Sequence, residues 1–172
     1  ADFFGERSIH ALHVYSCALK AVIKDQIMEM EHMLPIANVS GPPNVGKTFA
    51  CSIALRMMLG SEQLMLSRAT PSSLLDICDH HNNMLVVWDD PRDATDKQLC
   101  TIVHEAFHGF PNTTVSKGLR KYNSGIIIGT QRHLLGLPRA CGAHAHFFEI
   151  GSHRHESGKF IISKRRDAPC CR

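Results

Sequence analysis

The sequence contains no uncharged apolar run long enough to cross a lipid bilayer. A membrane-spanning helix needs about 20 consecutive apolar residues, so the composition argues against an integral membrane protein. The chain also lacks a basic segment followed by an apolar core and a small-residue cleavage site, the pattern of a secretory leader. From these two absences we expect an intracellular, soluble protein.

Paired cysteine motifs are absent as well. The chain has seven cysteines, an odd number, and no C-x-x-C pair occurs among them. Several lie inside apolar patterns, where a free cysteine behaves as a small buried hydrophobic residue. This usage favours a reducing compartment over a framework of disulfides.

Acidic residues are scarce in the last third of the chain. Up to residue 116 there are 8 Lys and Arg against 13 Asp and Glu, whereas from Lys117 onward there are 11 against 3. A basic segment joined to an acidic one indicates a polyanionic partner. The alternative is a solvated basic tail, which residues 164–166 resemble.

Short apolar runs alternate with helical patterns along most of the sequence. This alternation predicts an α/β fold in which a parallel sheet of about five strands lies between helices. We expect a helical segment at 1–35 that packs on the core, the core itself at 36–150, and a basic C-terminal tail at 151–172. Strands are predicted at 36–39, 64–66, 84–88, 125–129, 145–150 and 160–162, helices at 8–34, 47–59, 71–80 and 95–108, and a hairpin at 113–118.

A glycine-rich loop follows the first predicted strand and precedes a predicted helix. It matches G-x-x-x-x-G-K-[ST] at every fixed position. In such a loop the backbone N–H groups and the helix N-terminus surround phosphate groups, the lysine contacts the β- and γ-phosphates, and the Thr hydroxyl binds Mg²⁺. The sequence therefore predicts a P-loop that binds ATP with Mg²⁺, formed by Gly41, Pro42, Pro43, Asn44, Val45, Gly46, Lys47 and Thr48.

Two adjacent aspartates end the buried strand predicted at 84–88. A carboxylate at this point holds Mg²⁺ in P-loop enzymes, so we assign Asp89 to the metal and Asp90 to the attacking water. The strand at 125–129 ends in polar residues and is expected next to the P-loop strand. Its Gln131 would then bond the γ-phosphate and the attacking water.

The order of these elements resembles the superfamily-three helicases of small DNA viruses, whose ATPase core is a compact relative of the AAA+ fold. The resemblance covers about residues 36–150 and rests on the Pro-Pro-Asn within the P-loop, the Trp-Asp-Asp strand end, and a basic hairpin before the polar-tipped strand. It implies an Mg²⁺-dependent ATPase that assembles as a homo-oligomeric ring and moves along single-stranded nucleic acid, DNA rather than RNA. It also implies a location in the nucleus or at a site of viral or mobile-element replication, otherwise in the cytoplasm.

The same resemblance assigns roles to basic residues. Lys117, Arg120 and Lys121 would line the pore of the ring and contact the strand's backbone. The family also places an arginine shortly before the last strand, where it reaches the neighbouring subunit's site. Here that position is His144, and Arg139 is the substitute we assign to catalysis, with Arg132 as another candidate. A nucleotide-dependent assembly switch that never translocates is the alternative function.

A competing motif lies in the helix predicted at 95–108. The segment from His104 to His108 reads H-E-A-F-H, a match to H-E-x-x-H, in which two histidines bind Zn²⁺ and the glutamate, here Glu105, acts as general base. A zinc metalloprotease is therefore the second alternative function. Against it, the chain has 12 histidines, and the extended H-E-x-x-H-x-x-G-x-x-H form is absent.

Overall fold

The computed structural model describes residues 8–34, 36–91, 94–114, 118–131 and 145–149. Within these residues the helices are α1 (Ser8–Val22), α2 (Lys24–Glu31), α3 (Lys47–Leu59), α4 (Pro71–His80) and α5 (Asp96–His108). The strands are β1 (Ile36–Ser40), β2 (Met65–Ser67), β3 (Leu85–Asp89), β4 (Asn112–Thr114), β5 (Gly118–Arg120), β6 (Gly125–Thr130) and β7 (Ala145–Glu149).

The main sheet is parallel, and its strand order is β2, β3, β6, β1, β7. The late strand β6 therefore lies between β1 and β3. Its register pairs Thr130 with Ser40 on one side and Gly129 with Asp89 on the other. The carboxyl ends of these three strands meet at one edge, and the predicted α/β fold with a parallel sheet is confirmed.

Helices cover both faces of the sheet, as the continuous burial of its central strands requires. Helices α1 and α3 contact each other and lie on the same face. Here α1 crosses β6 so closely that a Cβ at Gly125 would overlap Ala21. On the opposite face, the indole N–H of Trp88 donates to the carbonyl of Ala69, just before α4.

Capping residues set the ends of the helices that the sequence predicted well. At the start of α5, Thr95 Oγ1 accepts from the N–H of Gln98 (3.3 Å) while the Gln98 side chain accepts from the N–H of Thr95 (2.8 Å), forming a capping box. Helix α3 ends at Gly60 in the left-handed conformation, as predicted. Strands β2 and β3 are each displaced by one residue from their predicted positions.

The single long helix predicted at 8–34 is wrong. The chain breaks at Ile23 into α1 and α2, and α2 is capped at its C-terminus by His32, which has a left-handed φ of 56°. Neither Gly nor Pro marks the break. It coincides with tertiary anchors at the start of α2, where Lys24 is buried and Asp25 accepts a hydrogen bond from Asn83.

The predicted hairpin is confirmed as β4 and β5, an antiparallel pair in which Asn112 lies opposite Arg120. The strand predicted at 160–162 lies outside the described residues. None of the helices in the described part of the chain is long and apolar enough to span a membrane.

Candidate functional site

The loop from residue 41 to residue 46 connects β1 to α3 and turns on three residues with positive φ. These are Gly41 (149°), Asn44 (62°) and Gly46 (92°). Glycine adopts such angles without steric cost, and asparagine is the side chain that tolerates the left-handed region best. A Cβ at Gly46 would meet nothing within 4 Å, so the glycine there is needed for its backbone conformation and not for space.

Lys47 begins α3, and its side chain folds back over this loop. Its Nζ donates to the carbonyl oxygens of Gly41 (2.8 Å) and Pro42 (2.6 Å). The residue is 9% exposed, so these two acceptors compensate much of the cost of burying an ammonium group. A cation held at the centre of the loop can exchange these carbonyls for the oxygens of an anion.

Thr48 and Asp89 join α3 to the end of β3. The Thr48 hydroxyl donates to Oδ2 of Asp89 across 2.9 Å, although the two residues are 41 positions apart in the chain. The pair thus brings a hydroxyl and a carboxylate oxygen together beside the loop. Hard oxygen donors of this kind suit Mg²⁺.

Gly129 leaves room for that carboxylate, a role that the sequence analysis did not assign. It lies opposite Asp89 in the sheet, and a Cβ built on it would be 2.6 Å from Oδ1 of Asp89. A glycine inside a strand often marks a close approach of another group. That signal was present within the apolar run of β6.

Asp90 follows directly and adopts a left-handed φ of 52°. Its N–H donates to the carbonyl of Gly129 across 2.8 Å, which ties the residue to the carboxyl end of β6. A non-glycine residue in this region costs about 1 kcal/mol or more, and such strain is frequent at functional sites.

The strand that was predicted to lie beside β1 is in place. Because β6 pairs with β1, Thr130 lies opposite Ser40, and Gln131 follows as an exposed residue at the same edge of the sheet. The structure therefore brings Lys47, Thr48, Asp89, Asp90 and Gln131 to one edge. Arg139, Arg132 and His144 lie outside the described residues.

Cys51 lies beneath this edge in the second turn of α3 and is fully buried. Burial raises the pKa of its thiol to about 12, and the negative charge of Asp89 acts in the same direction, against a smaller opposite effect of Lys47. The thiol is therefore neutral and serves as apolar packing beneath the site.

The prediction that Arg120 contacts nucleic acid conflicts with its position. Arg120 is 6% exposed, and its guanidinium forms an ion pair with Asp76 of α4. A buried, paired guanidinium is not presented to a phosphate backbone. Arg120 instead fixes β5 to α4, and the basic composition of the hairpin gave no sign of this.

The other two predicted strand contacts differ from Arg120. Lys121 is exposed, and its N–H donates to Oδ1 of Asp79, which also accepts from Nδ2 of Asn123. These contacts hold the exit of the hairpin on α4 and leave the Lys121 ammonium at the surface. Lys117 lies outside the described residues.

The H-E-x-x-H segment occupies the last turns of α5. The rings of His104 and His108 have centroids 4.8 Å apart, but Glu105 accepts a hydrogen bond from Nδ2 of Asn112 (3.2 Å). Within the described ranges, no group of three or more His, Cys, Asp or Glu side chains is placed to hold a metal ion. The side chains that the structure describes thus supply no third zinc ligand beside the two histidines.

No protein-family model and no curated protein matches the chain. Solved structures do match it, among them one described as "SCCmec type IV Cch - active helicase", with a TM-score of 0.58 and 16% sequence identity. The alignment covers 83% of this chain and 28% of that one, so this chain spans less than a third of its length. The likeness is one of fold.

Proposed function

We propose that this chain is an Mg²⁺-dependent ATPase of helicase type, in which residues 41–48 bind the phosphates of ATP. The observation that carries the proposal is the hydrogen bond between Thr48 and Asp89, because it unites the two halves of the predicted site. A chance match to the loop motif would not be expected to place the Thr48 hydroxyl 2.9 Å from the carboxylate of Asp89 at the end of β3.

The groups present suit ATP with Mg²⁺. Lys47 lies centrally over the loop and would exchange its carbonyl partners for the β- and γ-phosphate oxygens. The oxygens of Thr48 and Asp89 would hold the metal. When bound, Mg²⁺ neutralises charge on the phosphates and fixes their orientation.

The remaining polar groups at the edge have roles in hydrolysis. Asp90 would accept a proton from the attacking water, since its backbone is fixed beside the strand end through Gly129. Gln131 would orient the same water or the γ-phosphate through its amide. Asp89 is kept for the metal, so the two aspartates have separate tasks.

Helicase function extends the proposal to a single-stranded nucleic acid. Three observations support it: the fold is shared with a protein described as an active helicase, Lys121 is exposed at the hairpin, and basic residues predominate from Lys117 onward. Strand movement would require several subunits, with ATP between neighbours and Arg139 completing the adjoining site. We propose DNA as the partner, and a nuclear or replication-site location.

A nucleotide-dependent assembly switch is the second candidate. It is favoured by the burial of Arg120, which removes one of the three cations assigned to the strand. Such a protein would bind ATP and change its association state without moving along nucleic acid.

ATP turnover measured with and without single-stranded DNA separates the two candidates. The helicase-type enzyme predicts turnover that DNA stimulates, whereas the switch predicts ATP-dependent assembly that DNA leaves unchanged. Lys47→Ala should abolish ATP binding in calorimetry, because the ammonium group that lies over the loop would offset the negative charge of the β- and γ-phosphates. Lys97→Ala, at an exposed position of α5, is the matched control and should bind ATP normally. Equal ATP affinity in the Lys47 variant would refute the phosphate-loop assignment.

A further inference from the structure

Helix α5 ends in a turn that presents an aromatic ring. Gly109 takes a left-handed φ of 63°, and the N–H of Phe110 donates to the carbonyl of Glu105 across 3.0 Å. This is the Schellman arrangement, which brings the residue after the glycine over the last helical turn. Phe110 is therefore held in place by the backbone of α5.

The ring of Phe110 packs against two histidine rings and remains half exposed. It stacks on the ring of His108, with centroids 5.0 Å apart and an interplanar angle of 18°. His104 lies 5.7 Å from it at a tilt of 50°. Even so, Phe110 is 49% exposed. About half of the Phe110 surface is therefore accessible to a planar ligand.

The hairpin begins at the same turn. Nδ2 of Asn112 donates to Oε2 of Glu105, which fixes β4 to α5, and the ion pair of Arg120 with Asp76 fixes β5 to α4. The register that pairs Asn112 with Arg120 puts the next residues, Pro111 and Lys121, beside one another. The exposed Lys121 ammonium thus belongs to the same open end of the hairpin as Phe110.

We propose that His108 and Phe110 form a stacking platform for the bases of single-stranded nucleic acid, with Lys121 as the adjacent phosphate contact. Proteins that bind single strands without reading sequence combine cationic groups with aromatic faces on which bases stack. The proposal rests on the proposed function, since it says where the strand would be held. It adds an interaction that does not depend on charge.

Base stacking on Phe110 and phosphate contact by Lys121 respond differently to salt, so the salt dependence of binding distinguishes them. Affinity for a fluorescent oligothymidylate is measured over a range of KCl concentrations. Phe110→Leu keeps an apolar cap but removes the aromatic face, and it should weaken binding roughly tenfold at every salt concentration without changing the log–log slope. Lys121→Ala should instead flatten the slope by about 0.7. Phe110→Trp should retain binding, and its fluorescence should be quenched by the strand.

Controls distinguish a platform from a structural cap. Leu119→Ala, at another exposed apolar position of the hairpin, should bind like the wild type. If Phe110→Leu folds poorly, His108→Leu provides a second test of the stack, and it should weaken strand binding without changing the log–log slope. The platform is refuted if Phe110→Leu binds the strand like the wild type. It is also refuted if the loss of affinity is matched by a loss of thermal stability or of subunit association. Neither result bears on the proposed ATPase activity. Wild-type protein that turns over ATP but binds no strand refutes the helicase-type function itself.

Discussion

The carboxylate of Asp89 occupies the space that a side chain at position 129 would need. A Cβ on Gly129 would lie 2.6 Å from Asp89 Oδ1, while Oδ2 of the same carboxylate accepts the hydroxyl of Thr48. The position of the strand-end acid is therefore set from two sides, by a hydroxyl on α3 and by a missing side chain on β6.

Gly129→Ala should consequently impair the site more than the fold. The atom in the way is the end of a short side chain, so the carboxylate can rotate aside and the free energy of unfolding should fall by only about 1 kcal/mol. Displacement of Asp89 from Thr48 should lower ATP turnover at limiting Mg²⁺ at least roughly tenfold. Turnover over a Mg²⁺ titration, together with urea unfolding, measures both effects.

Gly118→Ala is the control for this substitution. Gly118 has a φ of 74°, and a Cβ at this position would meet nothing within 4 Å, so alanine there introduces backbone strain alone. It should cost a comparable stability without changing the Mg²⁺ dependence. Equal Mg²⁺ titrations for wild type and Gly129→Ala would contradict the assignment of Asp89 to the metal.

Asp90→Asn should separate ATP binding from hydrolysis. The substitution keeps the size of the side chain and the N–H that bonds to Gly129, but removes the group that accepts a proton. We expect an unchanged dissociation constant for ATP with Mg²⁺ and turnover that is slower by roughly tenfold or more. Single-turnover kinetics tests this directly, and unchanged turnover would show that Asp90 serves only to end β3.

Arg120→Ala and Lys121→Ala should affect different properties although the residues are adjacent: the first should lower stability, and the second should weaken strand binding. Loss of Arg120 leaves Asp76 without its ion-pair partner, and we expect about 2 kcal/mol lower stability, less than for a fully buried pair because 36% of the Asp76 side chain is exposed. Lys121→Ala should change stability far less than Arg120→Ala, since its effect on Lys24 is small, and should act mainly on strand binding. Thermal unfolding of both variants decides the matter, and equal melting temperatures would refute the structural role of Arg120.

Lys24 should make stability depend on pH in the alkaline range. Burial lowers the pKa of its ammonium group, and Lys121 acts in the same direction while Asp25 and Cys78 oppose it. Since the unfolded chain then binds more protons than the folded one between the lowered pKa and the ordinary value near 10.4, stability from this group rises with pH through that window.

Lys24→Met should therefore stabilise the protein at pH 7 by about 1 kcal/mol, because it removes the cost of burying a charge. The advantage over the wild type should shrink as the pH is raised towards 10. Urea unfolding at pH 7 and at pH 9.5 tests this, with Lys97→Met at an exposed site as the control. If the difference in unfolding free energy between Lys24→Met and the wild type is the same at both pH values, the pKa of Lys24 is not lowered.

Local signals made much of the site predictable. The spacing of Gly41, Gly46 and Lys47 specifies the loop, and the paired aspartates mark the end of a buried strand, because each signal lies within a few residues. The placement of β6 beside β1 was also expected, since it follows from the kind of sheet that the alternation of strands and helices indicates.

What could not be predicted depends on partners far away in the sequence. The break at Ile23 coincides with the contact between Asp25 and Asn83, and neither segment signals it alone. The family resemblance assigned Arg120 to the surface that contacts nucleic acid, whereas its burial depends on Asp76 in another helix. The need for a glycine at 129 is visible only once Asp89 is known to lie across from it.

The position of β1 in the sheet also has a consequence for how the chain acquires its structure. Both neighbours of β1 come late, since β6 is residues 125–130 and β7 is residues 145–149. During synthesis the apolar strand that leads into the loop must therefore wait for most of the chain to emerge. Such long-range pairing slows folding and leaves strand edges open to association with other chains. A ribosome-bound chain that has not yet reached β6 would contain the loop of residues 41–46 but would lack the strand that joins β1 to β3.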